Sequence, residues 1–179
     1  MKTVEVIRDF FMANNARELE RAYQDLYDYS QGTAPAVVDW QEVEFAFNRL
    51  FVGPAALEAP PYSSVYLDGE SLVMGKTMLD VREMYGALGL ESPWKNSLPD
   101  DHISLELDAA LAMNHIAQQT EQVEMHNLRD RYINHMDSCV PLFAERILAS
   151  QSSHPAIDYV VKCLSSWILE QTELRKEEI

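Results

Sequence analysis

Apolar side chains recur every three or four residues along most of this chain, which is the spacing of amphipathic α-helices. In the first such segment, residues 4–29, charged residues surround one apolar face. That face carries Leu19, Ala22, Tyr23, Leu26 and Tyr27. The adjacent Asn14 and Asn15 leave open whether the segment is one kinked helix or two, and Gly32 and Pro35 end it.

The next helix is predicted from a capping box, in which Asp39 precedes Glu42 by three residues. A single apolar stripe follows at helical spacing, made of Val43, Phe47, Leu50 and Phe51. Gly53 and Pro54 end this helix. Its last turns therefore bring large apolar side chains next to the segment that follows.

That segment is rich in proline and is also apolar. Pro54, Pro60 and Pro61 disfavour helix and strand, because each fixes φ and removes a backbone donor. The same stretch carries Leu57, Tyr62, Val65, Tyr66 and Leu67. Since a long apolar loop is usually packed or functional, we predict an ordered, non-helical loop over residues 52–68.

The rest of the chain predicts further helices and no strands. The helices cover residues 71–88, 99–119 and 120–136, then one segment from about Pro141 and one from Pro155. Gly89 suits the end of the first of them, and residues 90–98 form an irregular link. The chain, 1–179, is thus predicted to be an all-α, single-domain helical bundle with a long ordered proline-rich loop. The polar tail, 168–179, is expected to fray.

Charge narrows the classes of partner. The 179 residues carry a formal net charge of −15, which repels nucleic acid and anionic membrane surfaces and favours a basic peptide. The alternative is that the negative charge only keeps the protein soluble. No apolar run is long enough to span a membrane, and the N-terminal apolar run is too short and charged for a secretory signal. We therefore expect a cytoplasmic protein without stable membrane insertion.

The chain lacks the common catalytic motifs, including the P-loop and the zinc-protease helix. None of its five histidines follows a glutamate by three residues, which argues against a di-iron bundle. Cys139 and Cys163 stand apart, and we interpret them as small buried hydrophobes with no second Cys or His at metal spacing. We accordingly expect no catalytic residue, no metal and no cofactor.

One polar cluster remains, formed by Asp101, His102 and Glu106. Pro99 and two aspartates predict a helix start here. Proline lacks a backbone N–H, which the first turn of a helix does not need, and carboxylates favour the positive end of a helix. His102 and Glu106 then share a face at i, i+4. Three interpretations stay open: an acid–base pair, a helix-terminus acid beside a packing histidine, or an exposed Asp101 that binds an arginine.

The segments RLFVGP…PPYSSVYLDGES and PDDH resemble the TorD/DmsD family of chaperones that mature molybdenum-containing redox enzymes, its DmsD branch in particular. The resemblance is specific from about Phe47 to Leu111. It implies a groove that receives a twin-arginine signal peptide. The implied binding residues are Phe47, Leu50, Phe51, Pro61, Tyr62, Tyr66, Pro99, Asp101, His102 and Glu106. Leu98 stands where the family usually has glutamate.

The resemblance also implies a function. It is that of a non-enzymatic chaperone that binds the signal peptide and folding intermediate of a molybdoenzyme catalytic subunit until cofactor insertion and folding are complete. Export through the twin-arginine system would follow, and the protein would be a monomer or weak dimer. Two alternatives remain. One is a small helical enzyme using His102 with Asp101 or Glu106, and the other is an adaptor that binds a folded partner through the apolar loop.

Overall fold

The computed structural model describes residues 2–29, 34–37, 39–69, 75–89 and 98–177, apart from the side chains of 175–177. Every regular element assigned within these ranges is a helix, which confirms the all-α prediction there. They are α1 (Lys2–Phe11), α2 (Ala16–Tyr29), α3 (Trp40–Phe47), a π-helical turn (Asn48–Val52), α4 (Ser64–Leu67), α5 (Lys76–Ala87), α6 (Ile103–Gln118), α7 (Val123–Leu148) and α8 (Pro155–Glu177). None of these helices is long and apolar enough to cross a lipid bilayer.

The first segment forms two helices. The Asn14 backbone N–H donates to the Glu18 carboxylate at 2.8 Å, and Glu18 N–H donates to the Asn15 side chain at 3.1 Å. These bonds satisfy donors at the start of α2, so the asparagine pair separates α1 from α2. Tyr27 was predicted to lie on the apolar face of α2, but it is 51% exposed.

The core lies where α1 packs on α2 and α6, and where α7 packs on α6 and α8. Each helix contributes side chains with no exposed surface, among them Ile7, Leu26, Leu107, Tyr132 and Leu164. Fully burying one such aliphatic side chain contributes about 1.5–3 kcal/mol before entropy is counted. The packed α6–α7 pair is the rigid base on which the loop after α3 rests.

The capping box prediction holds at its first residue, since Asp39 caps α3 and accepts from Gln41 N–H at 2.8 Å. The π-helical turn ends at Gly53, whose φ of 103° favours glycine. Beyond it, the prediction of a wholly non-helical loop is wrong, because Ser64–Leu67 form the single turn of α4. The prolines all precede this turn, so the backbone donors that it needs are present.

Two prolines misled the prediction of helix boundaries. Residues 99–101 form a turn, and α6 begins only at Ile103, after the cap residue His102. Pro141 lies inside α7, although we expected it to start a new helix. Buried residues continue along α7 on both sides of it, from Met136 to Phe143. Packing of that continuous face offsets the roughly 3 kcal/mol that an interior proline costs a helix.

The remaining boundaries are closer to the prediction. Gly89 has a φ of 67° directly after the cap of α5, as predicted for a residue that ends a helix. The predicted start of that helix at 71 and most of the predicted link at 90–98 lie outside the described residues. The C-terminal segment expected to fray is helical through Glu177, and Ile168 and Thr172 in it are buried. Ile168 belongs to the hydrophobic core, and the Thr172 hydroxyl donates to the Leu169 carbonyl at 2.8 Å.

Candidate functional site

The proline-rich loop lies directly against the start of α6. Tyr62 and His102 form an isolated antiparallel β-bridge. Ser63 N–H donates to the Asp101 carbonyl at 3.0 Å, and Ile103 N–H donates to the Pro61 carbonyl at 2.9 Å. The two segments that the sequence singled out are therefore adjacent in space.

Asp101 is fully buried, so the interpretation of it as an exposed anion is wrong. Its Oδ2 accepts from the backbone N–H of Ser64 at 3.0 Å. That N–H lies at the start of α4, where a helix provides no acceptor of its own. Burial raises the pKa of Asp101, and the bond from Ser64 offsets part of that rise. Asp101 thus caps the helical turn of the loop and does not lie in the first turn of α6.

His102 is also buried, with 7% of its surface exposed. Its Nδ1 accepts from Ser104 N–H at 3.2 Å, and its ring lies edge-on to Tyr62 with centroids 5.3 Å apart. Desolvation lowers the pKa of His102 to about 4, so the ring is neutral at pH 7. The predicted pairing of His102 with Glu106 is not formed, because Glu106 binds other groups.

Glu106 joins the loop to α7. Its Oε1 accepts from Ser63 Oγ at 2.7 Å and from His135 Nε2 at 2.8 Å, and its Oε2 lies 3.9 Å from Cys139 Sγ. Burial alone would lower the pKa of His135, but the Glu106 carboxylate raises it above its usual value. We call Asp101, Glu106, Ser63 and Ser64 the loop latch, because the Ser64–Asp101 and Ser63–Glu106 bonds tie the loop to α6 and to the turn before it.

The sequence analysis missed four members of this site, namely Ser63, Ser64, His135 and Cys139. His135 precedes Cys139 by four residues, so the statement that no histidine lies at metal spacing from a cysteine is wrong. That i, i+4 spacing was readable from the sequence. No sequence signal pointed to Ser63, since its bond to Glu106 spans 43 positions.

Asp100, the first aspartate of the motif, is also buried, and its partner was not predicted. Its carboxylate pairs with Arg82 of α5 at 2.5 Å, and its carbonyl accepts from Tyr85 at 2.9 Å. These bonds hold the turn before α6 against α5. Both aspartates of the motif therefore have partners within the protein.

The predicted apolar residues divide into two groups. Phe47, Leu50 and Phe51 are buried at 3%, 0% and 4% exposure, and the Phe51 ring packs on Phe47 and Phe143. They belong to the core beneath the loop. The predicted Pro61 is buried as well. Tyr62, Tyr66 and Pro99 are instead partly exposed, and so is Leu98, which was not among the predicted binding residues. We call the partly exposed residues Tyr62, Tyr66, Leu98 and Pro99 the tyrosine surface.

Tyr66 is held firmly within that surface. Its hydroxyl donates to the Pro60 carbonyl at 2.9 Å, and its ring lies between Phe143 and the Arg146 guanidinium, 5.9 Å from each. Desolvation raises the pKa of Tyr66. A cavity of about 10 Å³ lies beneath it. Residues lining that cavity include Pro61, Ser63, Glu106 and Cys139.

A family model described as the nitrate reductase delta subunit matches residues 13–145, which is most of the chain. The chain belongs to that family. It is 39% identical over 80 residues to the Tat proofreading chaperone DmsD of Salmonella typhimurium, a match that covers 44% of this chain and 39% of the relative. It is 31% identical over 110 residues to the chaperone protein TorD of Vibrio cholerae, covering 59% and 50%.

The two matches thus cover half or less of the length of each relative. A solved structure, described as a putative redox enzyme maturation protein from Archaeoglobus fulgidus, superposes with a TM-score of 0.64. That match covers 91% of both chains at 20% identity. It shows that the helical architecture is shared.

Proposed function

We propose that this protein is a cytoplasmic, non-enzymatic chaperone that binds the twin-arginine signal peptide of a molybdopterin-dependent oxidoreductase. It holds the client until cofactor insertion and folding are complete. The observation that carries this proposal is the β-bridge between Tyr62 and His102, which presents the tyrosine surface beside the start of α6. Family membership and relatives named as Tat proofreading and TorD chaperones support it.

The proposed binding chemistry uses the parts of the site differently. Tyr62 and Tyr66 offer the exposed parts of their rings to the apolar stretch of the peptide, and Tyr62 also attracts its arginines through cation–π contact. The net charge of −15 attracts the basic end at longer range. The loop latch keeps the tyrosines in place. Phe47, Leu50 and Phe51 support the loop from below and do not contact the peptide.

The enzyme alternative receives less support from this geometry. His102 is buried and has a pKa near 4, so it is a poor base at neutral pH. Both groups proposed as its carboxylate partner are bonded to the loop, Asp101 through Ser64 and Glu106 through Ser63. These residues therefore act better as structural supports than as an acid–base pair.

Peptide binding tests the proposal directly. A labelled twin-arginine peptide is titrated with the parent protein and with Tyr62→Ala and Tyr66→Ala variants, and fluorescence anisotropy gives the affinity. Loss of a ring contact should weaken binding by about two- to twelvefold, since such pairs contribute about 0.5–1.5 kcal/mol beyond area burial. Tyr27→Ala is the matched control, because Tyr27 is an exposed tyrosine on α2.

Two outcomes would contradict the proposal. Equal binding of a peptide whose arginines are replaced by glutamine would show that the site does not recognise the basic end. Equal loss of affinity in the Tyr27 control would show that the tyrosine surface is not the binding site. A folded partner captured without the peptide would favour the adaptor alternative.

A further inference from the structure

Three different metal-binding side chains converge beneath the loop. Glu106 comes from α6, and His135 and Cys139 come from consecutive turns of α7. One donor atom from each of them lies within 4.8 Å of the other two. Glu106 and Cys139 are 0% and 2% exposed, and the His135 side chain is 12% exposed. The cluster lies outside the tyrosine surface proposed to bind peptide.

The arrangement is close to that of a metal site. His135 and Cys139 share one face of a helix at i, i+4, a spacing that places two ligands on one ion. Zinc bonds of about 2.0–2.3 Å with tetrahedral angles place ligand atoms roughly 3.3–3.7 Å apart. The separations here are 2.8 Å from Nε2 to Oε1 and 3.9 Å from Sγ to Oε2. Small side-chain rotations would therefore bring these donor atoms to the separations of a zinc site.

We propose that Glu106, His135 and Cys139 form a three-ligand site for a divalent metal ion of the zinc class. A thiolate and an imidazole select zinc-like ions over magnesium or calcium, which prefer oxygen ligands. The cavity of about 10 Å³ borders Glu106 and Cys139. That volume is close to the space that one water needs, so a water can supply the fourth ligand.

Charge balance is consistent with this site. An ion of charge +2 with one carboxylate and one thiolate sums to zero, so the occupied site would hold no net buried charge.

Occupancy of the site would also affect the loop. Ser63 Oγ donates to the same Oε1 of Glu106 that pairs with His135. An ion coordinated by Oε1 would compete with the hydrogen bond that Ser63 Oγ donates to the same atom. The proposal itself depends only on the three ligands and holds whether or not the protein binds a signal peptide.

Cobalt titration tests the proposal, because Co²⁺ substitutes for zinc and a cobalt–thiolate bond absorbs in the near ultraviolet. The full chain, kept reduced and free of oxygen, should give one such band that saturates at one Co²⁺ per chain and disappears when Zn²⁺ is added. Cys139→Ser should abolish the band. Cys163→Ser is the matched control and should retain it, since Cys163 lies on α8 away from the cluster.

Affinity for Zn²⁺, measured by competition with a chelator, provides a second readout. His135→Gln should weaken binding by more than about tenfold, the loss typical even of an outer-shell partner. Absence of a cobalt–thiolate band in the folded parent protein would overturn the proposal without any variant. So would a band that survives Cys139→Ser, or metal binding with no thiolate band, which would indicate an adventitious surface site.

Discussion

At the residue scale, the acids of the site are bonded to the protein itself. Asp101 caps α4 through Ser64 N–H, and Asp100 pairs with Arg82. A carboxylate that already accepts from the backbone and has no exposed surface is poorly placed to hold a client arginine as well. We therefore infer that Asp101 positions the loop and affects peptide binding through Tyr62 and Tyr66.

An Asp101→Asn variant distinguishes a positioning role from direct contact. Asparagine keeps an acceptor for Ser64 N–H but loses the charge, so unfolding should become about 1 kcal/mol easier, the difference between charged and neutral hydrogen bonds. Peptide affinity should stay within about threefold, which is about 0.7 kcal/mol. Chemical denaturation and peptide titration measure the two effects. A stable variant that binds more than tenfold more weakly would show that the carboxylate touches the peptide.

His102 predicts a pH dependence of stability. Its folded pKa of about 4 lies below the unfolded value of 6.5, so the unfolded state binds more protons between these values. Its contribution to stability is present above pH 6.5 and is lost as pH falls towards 4. From pH 7 to 5 this amounts to about 2 kcal/mol.

Urea denaturation of the parent and of a His102→Gln variant at both pH values measures this contribution. His135 and the carboxylates are present in both proteins, so their effects cancel in the comparison. The parent should lose about 2 kcal/mol more than the variant on acidification. Equal losses would show that His102 is solvated and titrates near its ordinary pKa.

At the element scale, periodicity predicted where helices form, because the apolar stripe of an amphipathic helix is a local property of the sequence. The start of α6 was misplaced because Pro99 with two aspartates has the local signature of a helix N-terminus. The observed start follows the cap residue His102, and there the Ile103 N–H pairs over a long range with the Pro61 carbonyl. The Glu106–His135 pair was missed for the same reason, since the sequence shows no local sign of which helices pack together.

Pro141 provides a prediction for α7. If α7 is continuous, Pro141→Ala restores a backbone donor inside a helix and should raise the free energy of unfolding by about 1–3 kcal/mol. If Pro141 instead starts a helix, alanine should bring no gain, because proline is favoured there. Urea denaturation measures the change. Leu142→Ala is a control for the neighbouring position, which is 43% exposed. Destabilisation by Pro141→Ala would show that the packing of α7 requires a proline-induced bend.

At the scale of the whole molecule, the net charge of −15 acts on any basic partner from beyond contact distance. Long-range attraction and ring contact respond differently to salt. The Debye length falls from about 10 Å at 0.1 M salt to about 3 Å at 1 M, whereas contact with Tyr66 changes little. Salt can therefore separate the contribution of the charge from that of the tyrosine surface.

The affinity for a twin-arginine peptide should fall as salt rises. Each of the two arginines should gain about 0.2–1 kcal/mol from exposed groups. Screening both interactions should therefore weaken peptide binding by about two- to thirtyfold. Tyr66→Ala should lower affinity at every salt concentration but leave the slope against salt unchanged, because it removes no charge. A peptide with glutamine in place of both arginines should show a flatter slope. If parent affinity stays flat or rises with salt, the interface is apolar, and the acidic surface serves solubility alone.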